Sequence, residues 1–382
     1  VIAFRSRHVA GTVGSAAWMV SGRGFGFVWR LVVIGHLGIG DFGLFAIAIA
    51  AAALVMTPLE AYYVVRVARI DDASFAVDRA SRWWLGLAVM VVGLAMFHWW
   101  FVPGLILAKA GADIAFNAYR STSIRAGDPS WSYAVEAARQ LVALAAGSIV
   151  LFTAGATLER ASLAYLLALV PFALLAAGSS RGVRPRLPHR ERRTGSMIVE
   201  ALGAAAYTQG DIVLLGILAS SAQAGYFSLG SLVVWTVALV AQNFSITFHE
   251  ELRSTQGHVS SGPRLRHTLG LAAASGLATL LTGVVVLVAD APRGLWLTFM
   301  ILSLVAFTRV ISSVFTTVLA VQAADHLRMR ITVTAVLVKA VVLVALTSQG
   351  AVGAAIAFVL GDLVMVAWAY RALYRSPGAA RA

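Results

Sequence analysis

The chain has 382 residues, of which 59% are hydrophobic and only 12% charged. A soluble domain averages about 25% charged residues, so a soluble core is excluded, and the absence of Cys excludes disulfides, thiolate chemistry and Cys-based metal sites. The formal net charge of +13 comes from 30 basic residues, 28 of them Arg and two Lys (Lys109 and Lys339); with no basic soluble domain to carry it, this charge points to membrane topology and not to nucleic acid.

A spanning helix needs roughly 20 apolar residues. In chain order, twelve such segments are predicted, at about 10–35, 42–65, 83–101, 103–123, 131–153, 161–179, 196–218, 224–248, 267–289, 295–321, 330–348 and 351–370. The first is too long, and too arginine-bearing through Arg23 and Arg30, to read as a cleavable signal. Pro103 and Gly104 mark the short connection before the fourth span, Pro58 and Pro171 predict kinks in the second and sixth, and Trp83, Trp84, Trp99, Trp100 and Trp131 at span ends read as interfacial anchors. Of the 30 basic residues, 22 fall in the two tails and the even-numbered gaps, with Arg120 and Arg330 at span ends counted with the gaps they adjoin, whereas the odd-numbered gaps hold only Arg160 and Arg293. Positive charge stays cytoplasmic, which predicts both termini inside and almost nothing projecting outside. The remaining six cations lie inside spans: Arg23, Arg30, Lys109, Arg139, Arg309 and Lys339.

The chain repeats itself at half its length. Arg30 to Phe45 closes the first span and opens the second; Asp211 to Phe227 does the same for the seventh and eighth, with Gly35 matching Gly216, Leu37 matching Leu218, and Gly43 and Phe45 matching Gly225 and Phe227 after a one-residue slip. An even number of spans separates the copies, so both halves share one orientation. Parallel repeats of this kind place a substrate site between two lobes that rock to give alternating access. The expected architecture is therefore all-α and polytopic, with twelve transmembrane helices in two pseudo-symmetric six-helix lobes, 1–180 and 195–382. A basic cytoplasmic linker, 181–194, joins them. The linker either touches anionic lipid or simply obeys the inside rule.

A charge at the bilayer centre costs about 2.5–3.5 kcal/mol on insertion scales, so each intramembrane ion needs a partner, water or a ligand. Arg23 and Arg30 are seven apart and share a face of the first helix; Arg23 sits in Ser21-Gly-Arg-Gly-Phe-Gly26, whose glycines fit either a bendable, cavity-lining helix or close helix packing. Lys109 and Asp113 on the fourth helix, and Glu136 and Arg139 on the fifth, are spaced to neutralise each other locally. Glu200, Tyr207 and Asp211 form a stripe on the seventh helix, and Asp211 is the repeat counterpart of Arg30, which suits an Arg30–Asp211 gate or a structural pair equally. Arg309 and Lys339 have no local acid at helical spacing; they either bind an anionic substrate or pair with Asp362. The candidate substrate-binding cations are thus Arg23, Arg30, Lys109, Arg309 and Lys339, and the candidate ion-coupling or gating acids are Asp113, Glu200, Asp211 and Asp362. Gln140, Gln242 and Asn243 suit sugar hydroxyls or helix–helix bonding. Asp71 and Asp72 read as charge balance for Arg66, Arg69 and Arg79. His249-Glu-Glu-Leu-Arg253 lacks the second His of a zincin motif, and no phosphate-binding loop is present, so neither a metal nor another cofactor is expected.

The segment from Arg30 to Ala48, with its leucine- and glycine-bearing turn leading into a Gly-aromatic helix start, resembles the opening hairpin of polysaccharide flippases of the O-antigen and teichoic-acid type. Gln209-Gly-Asp-Ile-Val-Leu-Leu-Gly216 followed by Ala224-Gly-Tyr-Phe-Ser-Leu229 resembles the same family's seventh and eighth helices. That family belongs to the multidrug/oligosaccharidyl-lipid/polysaccharide exporter superfamily; its lipid II flippases typically carry two further helices, so twelve spans favour the polysaccharide branch. The resemblance implies a non-enzymatic flippase in the cytoplasmic membrane. Its substrate would be a polyprenyl-diphosphate-linked oligosaccharide destined for lipopolysaccharide or another surface polysaccharide. Membrane lipid, and the glycosyltransferases and polymerase of the same pathway, are the partners it implies. A diphosphate suits arginine recognition. Two other functions fit the residues: a multidrug or small-molecule exporter of the same superfamily, and a membrane glycosyltransferase or polysaccharide polymerase, the latter at odds with the short, neutral external gaps.

Overall fold

The computed structural model describes residues 2–66, 70–126, 130–153, 157–186, 194–246, 248–255, 257–322 and 324–374. Every regular element among them is helical. The chain divides into two compact units, Val1–Leu202 and Gly203–Ala382, with the dividing line inside helix Thr194–Leu218.

The first unit begins with α1 (Ile2–Arg66), followed by α2 (Asp72–Met96), α3 (Phe101–Arg125) and α4 (Ser130–Thr153). The apolar part of α1, Ala17–Tyr63, runs for 47 residues. At 1.5 Å per residue that is about 70 Å, over twice a ~30 Å hydrocarbon core, so it must turn. It does so at Gly38, where φ is 85° and ψ 174°; this is left-handed backbone, open to glycine and costly for other residues. The break therefore lies at Gly38 and not at Pro58, around which the helical dihedrals persist. In the sixth span the proline expectation holds. Helix α5 (Leu158–Leu167) gives way to the single turn α6 (Val170–Ala173) with Pro171 in its first turn, then to a 3₁₀ turn at Leu174–Ala176 and α7 (Ala177–Ser180). Proline removes one backbone donor and crowds the preceding turn. Trp83 of α2 then donates its indole N–H to the Ala173 carbonyl at 2.9 Å.

Helices α2 and α3 pack along a seam of glycines. A Cβ added at Gly86, Gly93, Gly104 or Gly111 would meet the facing backbone at under 3.0 Å. With no hydrophobic drive between helices in lipid, such close backbone approach is what holds them. Helix α2 starts on Asp71, whose carboxylate accepts from the Ser74 N–H at 2.9 Å. Asp72 pairs with Arg125 at 2.9 Å and Arg66 with Asp78 at 2.8 Å. Trp84, Trp99, Trp100 and Trp131 are exposed, whereas Trp83 is buried and bonded, not an interfacial anchor.

The second unit comprises most of α8 (Thr194–Leu218), then α9 (Ser221–Ile246), the short α10 (His249–Ser254), α11 (Leu265–Val288), α12 (Arg293–Val321), α13 (Asp325–Ala345) and α14 (Ala351–Tyr374). Helix α12 is central, packing against α9, α11 and α14, and α13 packs on α14. Gly350, at φ 57°, turns the chain into α14, whose first N–H, that of Ala351, is capped at 2.8 Å by the side-chain carbonyl of Gln223.

Nine helical segments among the described residues are long and apolar enough to cross a membrane, the first of them the bent Ala17–Tyr63. Helices α2 and α13, of 25 and 21 residues, have the length of a span but carry Asp78, Arg79 and Arg82, and Arg328, Arg330 and Lys339. Residues 187–193 of the expected basic linker lie outside the described residues, as do the side chains of Gln242 and Asn243.

Candidate functional site

Each unit encloses an ion cluster in its apolar interior. In the first unit it spans α3, α4 and α5. Lys109 and Asp113 pair along α3 as their four-residue spacing predicts. Asp113 also receives the Arg139 guanidinium from α4 at 2.7 Å, and Arg139 lies 3.2 Å from Glu136 one turn away. Gln140 donates to Glu136 at 2.9 Å and accepts from the Tyr165 hydroxyl of α5 at 3.2 Å. The Arg139 guanidinium covers the Phe116 ring at 4.5 Å, and Tyr165 stacks on Trp29 of α1 at 5.5 Å between centroids. Two cations face two acids, so the cluster is formally neutral. Nη1 of Arg139 is buried without a hydrogen-bond partner among the described residues, and its Nε faces Glu136 as an ion pair without an aligned hydrogen bond. A second buried pair lies nearby in sequence: Arg82 of α2 grips one oxygen of Glu60 at 2.7 and 2.9 Å, and Asn117 of α3 donates to the other at 2.8 Å.

On α1, Arg23 is exposed and Arg30 half-buried. Gly22, beside Arg23, lies against Ala137 of α4, where an added Cβ would stand 3.3 Å from the Ala137 Cα. Gly22 therefore serves helix packing, whereas a Cβ added at Gly24 would meet open space.

The second unit's cluster joins α8, α12, α13 and α14. Lys339 of α13 pairs with Asp211 of α8 at 2.6 Å and donates to the Tyr207 carbonyl at 2.7 Å. Its ammonium also lies over the rings of Phe358, at 3.9 Å, and Tyr207, at 4.4 Å. Asp362 of α14 accepts from the Tyr207 hydroxyl, from Thr308 at 2.9 Å and from Arg309 at 3.2 Å. The Arg309 guanidinium is held over the Tyr207 and Trp235 rings at 4.8 and 4.7 Å. Again two cations face two acids. Asp362 is wholly buried and Lys339 is 1% exposed.

Among the expected site residues, the structure brings Lys109 and Asp113 together in one cluster and Asp211, Arg309, Lys339 and Asp362 in another. Asp211 is held by Lys339 within the second unit. Arg309 takes Asp362, the pairing alternative weighed for it; Lys339 takes Asp211 instead. Lys109 and Lys339 are both buried against acids and present no open ammonium in this conformation. Glu200 is half-buried on α8, outside the Asp211–Lys339 pair. Sequence reasoning missed Tyr165, Thr308, Trp235 and the Glu60–Arg82–Asn117 set as cluster members. Tyr207, placed on the stripe, was legible only as a neighbour of Asp211.

No family model matches the sequence, and no curated protein matches it. The fold, in contrast, is shared with solved transporters. The lipid II flippase MurJ in an inward closed conformation superposes with a TM-score of 0.66 at 11% identity, covering 96% of this chain and 87% of that one. An inward-facing multidrug resistance MATE family transporter of the MOP superfamily gives 0.58 at 13% identity, covering 96% and 95%. A MOP superfamily transporter from Pyrococcus furiosus, described as having a binding pocket of reversed polarity, gives 0.50 at 13% identity, covering 95% of each chain. At these identities the likeness is one of fold. The chain is an all-α, multi-pass membrane protein with the fold of MOP superfamily transporters.

Proposed function

We propose that the protein is a flippase that carries a polyprenyl-diphosphate-linked oligosaccharide across the cytoplasmic membrane by alternating access between two six-helix lobes, for surface polysaccharide synthesis. The observation that carries this reading is the fold shared with a lipid II flippase over nearly the whole chain, at a TM-score of 0.66. The chemistry agrees. A diphosphate needs fixed cations, and a guanidinium matches it with parallel N–H bonds. Arg23, exposed on α1 and seven residues from Arg30, supplies such a group without an acid at helical spacing. The lipid tail stays in the bilayer, and no covalent step is needed, so the chain acts as a carrier and not as an enzyme.

Deletion of the gene should make lipid-linked glycan accumulate on the cytoplasmic leaflet, with surface polysaccharide lost. In the complemented strain, Arg23→Ala should abolish display at unchanged membrane abundance, and Arg23→Lys should restore it in part, because Lys keeps the charge and loses the fork. Normal display in the deletion strain would overturn the reading. The second reading, a multidrug exporter, draws on the equally complete overlap with MATE transporters; it is favoured if the deletion strain instead becomes drug-sensitive with its surface glycan intact.

A further inference from the structure

In the first unit Arg66, Arg82, Lys109, Arg125 and Arg139 each face a carboxylate at ion-pair distance. Arg120 of α3 does not: no carboxylate among the described residues pairs with it. Its side chain bonds the Asn117 side-chain carbonyl through Nη1 at a long 3.4 Å. Its Nε is buried without a hydrogen-bond partner among the described residues. The guanidinium stands over the Tyr133 ring of α4 at 5.4 Å, toward the outer limit of a cation–π contact. The residue as a whole is half-buried, so part of the guanidinium still meets the surroundings.

Glu60 would be the natural partner, but it is already engaged. Arg82 takes one of its oxygens at 2.7 and 2.9 Å, and Asn117 donates to the other at 2.8 Å. Asn117 thus turns its N–H to Glu60 and its carbonyl to Arg120, a neutral amide between two ions. Two cations share one acid, and the surplus positive charge rests on Arg120. A guanidinium carries five N–H donors, and a fixed cation inside an apolar protein needs an anion or water to complete it.

Depth decides which anion is at hand. Arg120 lies five residues before the end of α3 at Arg125, about 7.5 Å along the helix axis. Ile124, one turn further and on the same face, is 52% exposed, and Trp131 at the start of α4 is 64% exposed. The Trp131 indole donates to the hydroxyl of Tyr119, the residue before Arg120, at 2.8 Å. An exposed Trp held this way at a helix end marks the level of the lipid headgroups. Arg120 therefore sits about one helical turn inside that level, where a long cationic side chain reaches a lipid phosphate and Ile124 offers an apolar contact to the acyl chains.

We propose that Arg120, with Asn117 and Tyr133, binds the phosphate of an anionic membrane phospholipid at the α3–α4 corner of the first unit. Phosphate oxygens supply the charge-assisted acceptors that the guanidinium lacks, the Tyr133 ring keeps its plane in place, and the lipid's net negative charge cancels the surplus cation. A zwitterionic lipid brings an ammonium group as well, and the acid of this set, Glu60, is committed to Arg82 and Asn117. The lipid is a bound component of the carrier and not its cargo, so the inference stands with either reading of the transported substrate.

The test titrates the delipidated full-length protein in detergent with phosphatidylglycerol and counts bound lipid by native mass spectrometry. The wild type should hold a single phosphatidylglycerol more tightly than phosphatidylcholine. Arg120→Gln should weaken that lipid about tenfold, the scale of one lost charge-assisted hydrogen bond. Arg264→Gln, which removes an exposed cation just before α11, should leave it unchanged. Equal losses in the two variants, no loss in a monodisperse Arg120→Gln protein, or equal retention of phosphatidylcholine by the wild type would overturn the site. A measurement on the wild type alone covers the case of a variant that fails to fold. Phosphatidylglycerol with a photoreactive headgroup should label α3 or the first turn of α4 around Arg120 and Tyr133, and labelling confined to other segments would overturn the proposal. Displacement of the lipid by excess inorganic phosphate would assign the site to a free anion and overturn the lipid as its occupant.

Discussion

Lys339 shows how much one intramembrane side chain depends on its partner. Its ammonium is sealed against Asp211, and Gly361 lies so close that a Cβ there would collide with the lysine stem. Removing one member of a buried pair leaves an uncompensated charge, which costs about 3–5 kcal/mol. Lys339→Ala should therefore lower the thermal unfolding midpoint of the detergent-solubilised protein sharply. Combining Lys339→Met with Asp211→Leu should recover most of the loss, since two apolar side chains need no counter-charge. A double variant no more stable than the single would mean that Lys339 acts mainly through Tyr207 and Phe358. At this scale the sequence was legible where partners share a helix. Lys109–Asp113 and Glu136–Arg139 follow from spacing alone. Glu60–Arg82 and Asp211–Lys339 do not, because no periodicity relates residues on different helices; only packing decides which acid a distant cation meets.

Among the elements, α2 and α3 are joined by glycine where most helix pairs are joined by larger side chains. Gly111→Val should clash with the α2 backbone near Met90 and destabilise the first unit by about 1–3 kcal/mol or more, the usual range for overpacking. Gly270 of α11 faces open space and makes the control: Gly270→Ala should be neutral or stabilise by about 0.4–1 kcal/mol through reduced freedom of the unfolded chain. Equal effects at both sites would remove the seam as the cause. The same helices mark where sequence patterns ran out. Trp83 and Trp84 are adjacent and alike in composition, yet successive helical positions point about 100° apart. One faces out and the other turns in toward the loosened sixth span. Likewise Pro58 and Gly38 both advertise a break, and the break falls where the backbone must adopt a positive φ, a demand that only the glycine meets at low cost.

For the whole molecule, the expected arrangement is twelve crossings with both termini in the cytoplasm. A reporter fused after Arg193 should give a cytoplasmic signal, and one fused at Asp290, between α11 and α12, an external one. An external signal at Arg193 would invert the orientation that the arginine bias sets. The fold class was legible at this scale because apolar length and charge bias are additive properties of the chain. The division at Leu202–Gly203, inside a single continuous helix, was not, since nothing in composition changes there.

The wide sequence interval inside the Asp211–Lys339 pair also sets an order of events during synthesis. Lys109 and Asp113 leave the ribosome together and can enter the bilayer as a neutral turn of one helix. Asp211 emerges about 130 residues before Lys339, which at ~5–20 residues per second is a wait of roughly 6–25 s. Through that interval the nascent α8 holds a carboxyl group whose eventual counter-ion does not yet exist. Biogenesis of the second unit thus has a built-in vulnerable period, during which α8 must stay protonated, remain at the insertion machinery or lean on other lipids and helices. Truncation before α13 leaves that period without an end, and such fragments are natural targets for membrane proteases.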